Sequence, residues 1–268
     1  MGTLFLVHAH PDDEAISTGG VIMKAKAHGH RVVLVTATRG EAGEIYNMDP
    51  KQTRPRLAVI RTEELQAAGD LLGVDRIEFL GYRDSGMVDT PENKDPRSFH
   101  QARVDEAAGR LAVFLREERP DVVVTYAEDG QYGHPDHMKA HYVTVAALDL
   151  LQREGWSPLK AYYTAIPRSM MEEFAKQFPD QAERRTAQNM RVIGTPDELI
   201  TTRIDVHDYV DQKRKAFEAH VSQNDPDSWF ASMAGQLLEL ALGTEYYQLV
   251  RGKAGSELPE TDLFAGIK

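Results

Sequence analysis

The sequence predicts an α/β protein, a Rossmann-like and mostly parallel sheet with helices on both faces. Three observations predict it. Short β-branched runs alternate with amphipathic stretches along the first 155 residues. The connections between successive runs have the length of right-handed crossover helices. Leu4 to Val7 and Val122 to Thr125 are apolar runs, as expected of strands covered on both faces. Leu4 to Val7 is the first strand, followed by a helix from about Ala15 to His28 with Ile16, Met23 and Ala27 inward. Arg31 to Thr36 is the second strand. After a polar loop rich in Gly, Glu and Pro, Leu57 to Leu72 forms a helix with Ile60, Ala67, Ala68 and Leu71 on its inner face, and Gly73 stops it. Ile77 to Leu80 is the third strand, and a long loop runs from Gly81 to about His100. Arg103 to Arg119 is helical and ends at Pro120; Val122 to Thr125 is the fourth strand and Asp136 to Gln152 the fourth helix. Beyond about Trp156 the pattern loosens. It suggests a strand at Ala161 to Ile166, a helix at Met170 to Phe178 and a strand at Ile204 to Val206. Helices at Tyr209 to Val221 and Ser228 to Leu240 and a closing strand at Glu245 to Val250 complete it. No repeat, low-complexity tract or linker intervenes. The expected organisation is one domain over residues 1–268, with a core over about 1–155 and the remaining 156–268 as decoration of the sheet or a small lobe.

Lys and Arg number 31 against 42 Asp and Glu, a net charge of -11. Such a balance argues against nucleic acid or an anionic membrane as partner. There is no cysteine, so no disulfide framework is expected and any metal must be held by nitrogen and oxygen. Met1 to Val7 runs straight into a strand, and nowhere do about 18 apolar residues follow one another. Neither a secretory leader nor a spanning helix is therefore expected, and the expected compartment is the cytosol.

Two segments carry the chemistry: His8-Ala9-His10-Pro11-Asp12-Asp13-Glu14 and Tyr132-Gly133-His134-Pro135-Asp136-His137. Each repeats His-Pro-Asp, and each follows an apolar strand. Ligands of α/β sheets sit at the carboxyl ends of strands, so both segments should reach one rim. If each Pro lies in the first turn of a helix, His10 with Asp13 and His134 with His137 face the same side at i and i+3. Three of these four can ligate zinc with a position left for water, and the fourth is free for chemistry. Asp12 stands beside Asp13 on another bearing, the place of a general base. Either segment alone is also ordinary helix-start chemistry, with a carboxylate favoured by the helix dipole. Two copies after two buried strands make capping a poor common cause.

Other residues divide less sharply. His8 reads as a packed core histidine, His141 as solvated or supporting the site from behind, and His28, His30, His100 and His207 as surface residues. Arg61 beside Glu64 is equally a salt-bridged helix residue or a substrate contact. Glu41 and Glu44 read first as solvated charges, with Glu44 a candidate substrate contact. Gly19-Gly20 entering a helix could belong to a nucleotide-binding module, although no G-x-G-x-x-G or Walker pattern is present. A metal- or sugar-binding protein without catalysis would keep the ligands and not require Asp12.

The segments His-Pro-Asp-Asp-Glu and Gly-His-Pro-Asp-His resemble the two signatures of the PIG-L/LmbE-like zinc-dependent N-acetylglucosamine deacetylases. Further similarity lies in Thr38-Arg39-Gly40-Glu41-Ala42-Gly43-Glu44, Arg61 with Glu64, Tyr82-Arg83-Asp84-Ser85-Gly86-Met87 and Ala219-His220-Val221-Ser222-Gln223. These resemble the mycothiol branch, which comprises the N-acetylglucosaminyl-inositol deacetylase and the mycothiol S-conjugate amidase. The likeness is strong over residues 3 to 150 and loose beyond. It implies zinc on His10, Asp13 and His137, with Asp12 as general base and proton shuttle. It further implies that His134 stabilises the oxyanion and Asp136 orients it, that Tyr132 is a mobile tyrosine polarising the carbonyl, and that Arg61 and Asp84 hold substrate hydroxyls. A carboxylate neighbour would keep His134 cationic, so a pH profile with an alkaline limb from His134 is expected. The amidase branch resembles a Lys three residues after the motif's Glu; Ser17 stands there and favours the deacetylase. Iron could occupy the same donors. The expected partner is a small amino-sugar substrate, and homo-oligomerisation is left open.

Overall fold

The computed structural model describes residues 1–177, 194–226 and 241–267. Strands β1 (Thr3–His8), β2 (Arg31–Thr36), β3 (Arg76–Phe79), β4 (Val122–Tyr126), β5 (Lys160–Ala165), β6 (Thr202–Asp205) and β7 (Thr244–Gly252) form one sheet in the order β3-β2-β1-β4-β5-β7-β6. The first five are parallel, and β7 runs antiparallel to both β5 and β6. The C-terminal part therefore extends the sheet itself.

Strand alternation splits the core in two. Phe5, Val7, Val33, Val35 and Val123 pack on one face with Leu111, Leu115, Val143 and Ala147. Leu4, Leu6, Val32, Leu34 and Val124 pack on the other with Ile22, Leu65, Ala68 and Ala216. The helices behind these faces are α1 (Gly19–Ala27), α2 (Leu57–Leu72), α3 (Val104–Glu118), α4 (Pro135–Arg153) and, after a helix α5 (Arg168–Gln177) that buries no residue, α6 (Val210–Glu218), short turns aside. Gly73 caps α2 at φ 84°, donating its N–H to Gly69, as the sequence predicts. The expected helix at Ser228 to Leu240 lies outside the described residues. Among the described residues, no helix is long and apolar enough to cross a membrane.

Two inner faces differ from expectation. The chain after β1 makes a wide π turn at Glu14–Thr18 before α1 begins, so Val21, Ile22 and Ala25 are buried while Ile16 is 44% exposed and Ala27 faces out. On α2 the buried residues are Leu57, Arg61, Glu64, Leu65, Ala68, Gly69 and Leu72, while Ala67 and Leu71 point outward. The buried stripe includes two charged residues. Apolar spacing alone therefore rotates that helix by about one residue, or roughly 100°.

The Gly19-Gly20 turn has its own explanation. Glu245 on β7 accepts the N–H groups of Gly20 and Val21 at 2.7 and 2.9 Å, and Lys213 pairs with it at 2.6 Å. The positive end of α1 thus already holds an internal carboxylate where a nucleotide-binding protein would hold phosphate. A Cβ on Gly20 would meet Val206 at 2.5–2.6 Å. Replacing a helical Gly by Ala ordinarily gains up to about 1 kcal/mol, whereas forcing atoms into a packed core costs about 1–3 kcal/mol. Gly20→Ala is expected to lower the thermal midpoint, and an unchanged or raised midpoint in calorimetry would contradict the close approach.

Candidate active site

β1 lies between β2 on one side and β4 on the other, the point where a doubly wound sheet opens a crevice at its strand ends. The two His-Pro-Asp segments leave β1 and β4 there. His8 closes β1 as a buried core residue, its ring bonded to Tyr126 Oη at 3.1 Å and Thr18 Oγ1 at 2.9 Å. The second segment starts a helix as expected, with Pro135 in the first turn of α4 and His134 as its cap. The first does not. Asp12 takes φ 119°, and its N–H is held by Glu14 Oε2 at 3.0 Å. His10 and Asp13 meet instead through the backbone, the His10 N–H donating to Asp13 Oδ2 at 2.8 Å.

Tyr126 Oη also donates to Asp13 Oδ2, at 2.7 Å. Asp13 Oδ1 remains 3.4 Å from His137 Nε2. His10 Nδ1 stands 3.7 Å from Asp13 Oδ2, and its Nε2 faces Asp136 at 3.2 Å and Asp84 at 3.5 Å. The imidazoles of His10, His134 and His137 lie 4.5–5.3 Å apart, centre to centre. Among the described residues, ligand atoms of two sets, His10 with His134 and His137 and His10 with Asp84 and Asp136, fall within 4.8 Å of one another. His10 is common to both.

The donors suit a divalent ion. Ligands about 2.1 Å from a tetrahedral zinc stand roughly 3.4 Å from each other, which is the Asp13 to His137 separation and too long for a good hydrogen bond. Burial pushes His137 down to about 4, so its imidazole is neutral with a lone pair to give. Burial opposes the Asp13 charge, yet His137, His10 and His8 around it hold its carboxyl well below the usual range. For His10, burial is outweighed by Asp84, Asp136 and Asp13, which raise it; three carboxylates there call for a cation. His137→Ala is expected to strip the metal from purified protein and His134→Ala to retain it. Elemental analysis finding the reverse would put His134 in the ligand set and take His137 out of it.

Two site roles need correction. The Asp136 carboxylate does not reach His134; it accepts from the N–H and hydroxyl of Ser85 and faces His10. Only its backbone N–H touches His134, donating to Nδ1 at 3.1 Å. The proton of a neutral ring is then on Nε2. Burial, with His10 and His137 adding to it, pushes His134 well below its ordinary value. Asp136 therefore braces His10, and His134 is a neutral donor.

Arg61 is 5% exposed and is not paired to Glu64. Its Nη2 donates to the Glu44 carbonyl at 3.0 Å, and its guanidinium lies against Gly40 and Gly43. Asp84 accepts the N–H groups of Ala42 and Gly86 at 3.1 and 2.9 Å. Glu41 takes the Asp84 N–H at 3.2 Å and is a brace, not a solvated charge. The Glu44 side chain is exposed. His141 is buried and bonded to the Tyr126 carbonyl at 3.0 Å. His28, His100 and His207 are exposed as expected, while His30 is half-buried and stacked on Phe264. The Tyr132 hydroxyl is 3.4 Å from His137 Nε2. A cavity of about 380 Å³ gathers His10, Asp12, Arg61, Asp84, Tyr132 and His134, with Glu44 at its edge. Burial, then the Asp13 charge, pushes the Asp12 carboxyl up to about 7.

Fold and site together define an α/β enzyme with an imidazole and carboxylate centre at the sheet's switch point. The family model described as GlcNAc-PI de-N-acetylase matches residues 5–148, and the chain belongs to this PIG-L family. It is 42% identical over 280 residues, covering 99% of this chain and 95% of the relative, to the 1D-myo-inositol 2-acetamido-2-deoxy-alpha-D-glucopyranoside deacetylase of Acidothermus cellulolyticus. The N,N'-diacetylchitobiose deacetylase of Pyrococcus horikoshii has a similar structure, with a TM-score of 0.61, 22% identity and coverage of 93% of this chain and 84% of that one. So does GalB, the 4-carboxy-2-hydroxymuconate hydratase of Pseudomonas putida, at 0.57, 21%, 96% and 100%. A hydratase among these neighbours makes plain that the fold leaves the reaction open.

Proposed function

We propose that this chain hydrolyses the acetamide of a 2-acetamido-2-deoxy-glucopyranosyl inositol, with zinc held by His10, Asp13 and His137. The observation that carries the reading is the meeting of Asp12, His134, His10 and Asp84 in one cavity, with His137 in ligand range of His10 and His134. The aglycone comes from the names of relatives about 40% identical over nearly the full chain. Those names, with Ser17 in place of a Lys, favour a deacetylase over a conjugate amidase. The sharing of one sheet by β1 and β7 supports a single domain over 1–268.

When bound, the ion supplies Lewis acidity and makes water a nucleophile near neutral pH. Asp12, whose carboxyl burial pushes up from its ordinary value in the metal-free protein, is placed to take a proton from the attacking water and to give it to the leaving amine. His134 donates its Nε2 hydrogen to the carbonyl oxygen as negative charge builds there. Burial raises the Tyr132 hydroxyl well above its ordinary value, so it stays protonated and donates to the same oxygen. Arg61 and Asp84 offer a donor and an acceptor for sugar hydroxyls.

The test is amine release by zinc-loaded and iron-loaded protein from N-acetylglucosamine conjugates of inositol, malate, chitobiose and a cysteinyl thioether. Zinc-dependent release from the inositol glycoside is expected. Release from the thioether conjugate alone would make the chain an amidase, and tight binding without release would make it a binding protein.

A further inference from the structure

Asp12 holds a backbone conformation that side chains avoid. Its φ of 119° lies well beyond the left-handed helical well near 57°, where glycine alone is comfortable. The other four non-glycine residues of positive φ among the described residues, at 44–69°, stay near that well. A conformation of this kind persists only where its surroundings fix it.

What fixes it is Glu14. One oxygen, Oε2, accepts the Asp12 N–H at 3.0 Å. The other, Oε1, meets His220 Nε2 at 2.7 Å, and both side chains are fully buried. Gln223 Nε2 donates to His220 Nδ1 at 3.1 Å, so Nδ1 accepts and the hydrogen on Nε2 points at Glu14. His220 is itself anchored. Ser222, two residues on, donates its N–H and hydroxyl to Glu64 on α2 at 2.6 and 2.7 Å, and its carbonyl takes the Tyr46 N–H at 2.8 Å. An unbroken run of bonds joins α2, residues 220–223 and the Asp12 peptide. Neither Glu14 nor His220 lines the cavity.

We propose that Glu14 and His220 are a positioning pair that clamps the strained Asp12 peptide and thereby aims the Asp12 carboxylate into the cavity. The inference rests on the reading of Asp12 as general base. Removing His220 strands the buried Glu14 carboxylate, whereas replacing both by apolar residues of similar volume is generally tolerated. The clamp is therefore open to dissection.

Metal-loaded His220→Gln, His220→Leu, the pair Glu14→Met with His220→Leu, and Asp12→Asn are compared for kcat, KM and metal content. Gln keeps an N–H for Glu14; Leu does not. A misdirected base should cost about 100-fold in kcat in the Leu and paired variants, with KM and metal content within about twofold, and Gln should recover about tenfold of the loss. If His220→Leu does not fold, the paired variant decides. A folded, metal-loaded Leu or paired variant with kcat near that of the parent overturns the proposal, as does a loss matched by loss of metal or a Gln variant no better than Leu. Full activity in Asp12→Asn would instead overturn the reading of Asp12. An inactive Asp12→Asn beside a fully active paired variant would sink the clamp alone.

Discussion

Asp12→Asn should reduce turnover by about 10²- to 10⁴-fold, the usual worth of a positioned proton acceptor, while metal content stays at the parent's level. The same substitution should stabilise the metal-free protein, and the sign follows from the displaced carboxyl. The unfolded chain ionises Asp12 near 3.8, and the folded one near 7 because of burial and then Asp13. Between those values the native state keeps a proton that the unfolded state has lost, so stability falls as pH rises from about 4 to 7. Asn removes that cost. Its advantage should be absent at pH 3.5 and full at pH 8, at most about 4 kcal/mol at about 1.4 kcal/mol per pKa unit, and reduced because Asp12 opens partly to the cavity. Melts without metal at both pH values check this; an Asn variant less stable at pH 8 would contradict the buried charge. Metal must be absent, since a nearby cation would pull the carboxyl down.

His134→Ala should lower kcat by about 100- to 1000-fold, as loss of an oxyanion donor does, with metal retained. The shape of the pH profile separates two versions of the role. The backbone bond to Nδ1 and the burial of the ring make His134 neutral throughout the working range, so the variant should scale the whole profile down without removing an alkaline limb. If the alkaline limb disappears in His134→Ala, the ring is cationic in the parent and the expectation from sequence, not the geometry, was right. The acid limb belongs to Asp12, displaced below its metal-free value of about 7 by the nearby cation, and should survive the substitution.

The strands were legible because burial on both faces leaves apolar runs such as Val32 to Val35, and Arg31 to Thr36 coincides with β2; the Leu57 to Leu72 helix likewise coincides with α2. The rim was legible because the two His-Pro-Asp segments follow two such runs. Apolar periodicity misplaced the inner face of α2, because Arg61 and Glu64 are buried there to serve the site and the loop beneath it. Pro11 did not start a helix as Pro135 does, for the ring that presets a helical first turn does nothing to prevent the φ of 119° that follows at Asp12. The roles of Ser85 and His220 were not readable at all. Each acts on a residue remote in sequence, Asp136 and Glu14, 51 and 206 positions away, and no local spacing marks such pairs.

The placement of the proposed metal donors in segments that follow two different strands has a kinetic corollary. Tyr126 binds Asp13 across 113 positions of chain, so the two halves of the centre come together only once β1 and β4 have paired. Closing so long a span carries an entropic toll and slows folding. An unfolded chain offers an ion His10 with Asp13 or His134 with His137, never three donors preorganised together. The ion therefore acts late, by mass action on molecules already folded, adding about 1.4 kcal/mol of stability for each tenfold excess over its dissociation constant. Refolding rates should be insensitive to zinc while unfolding slows, and a chelator should shorten the lifetime of the native state without changing the speed at which it forms.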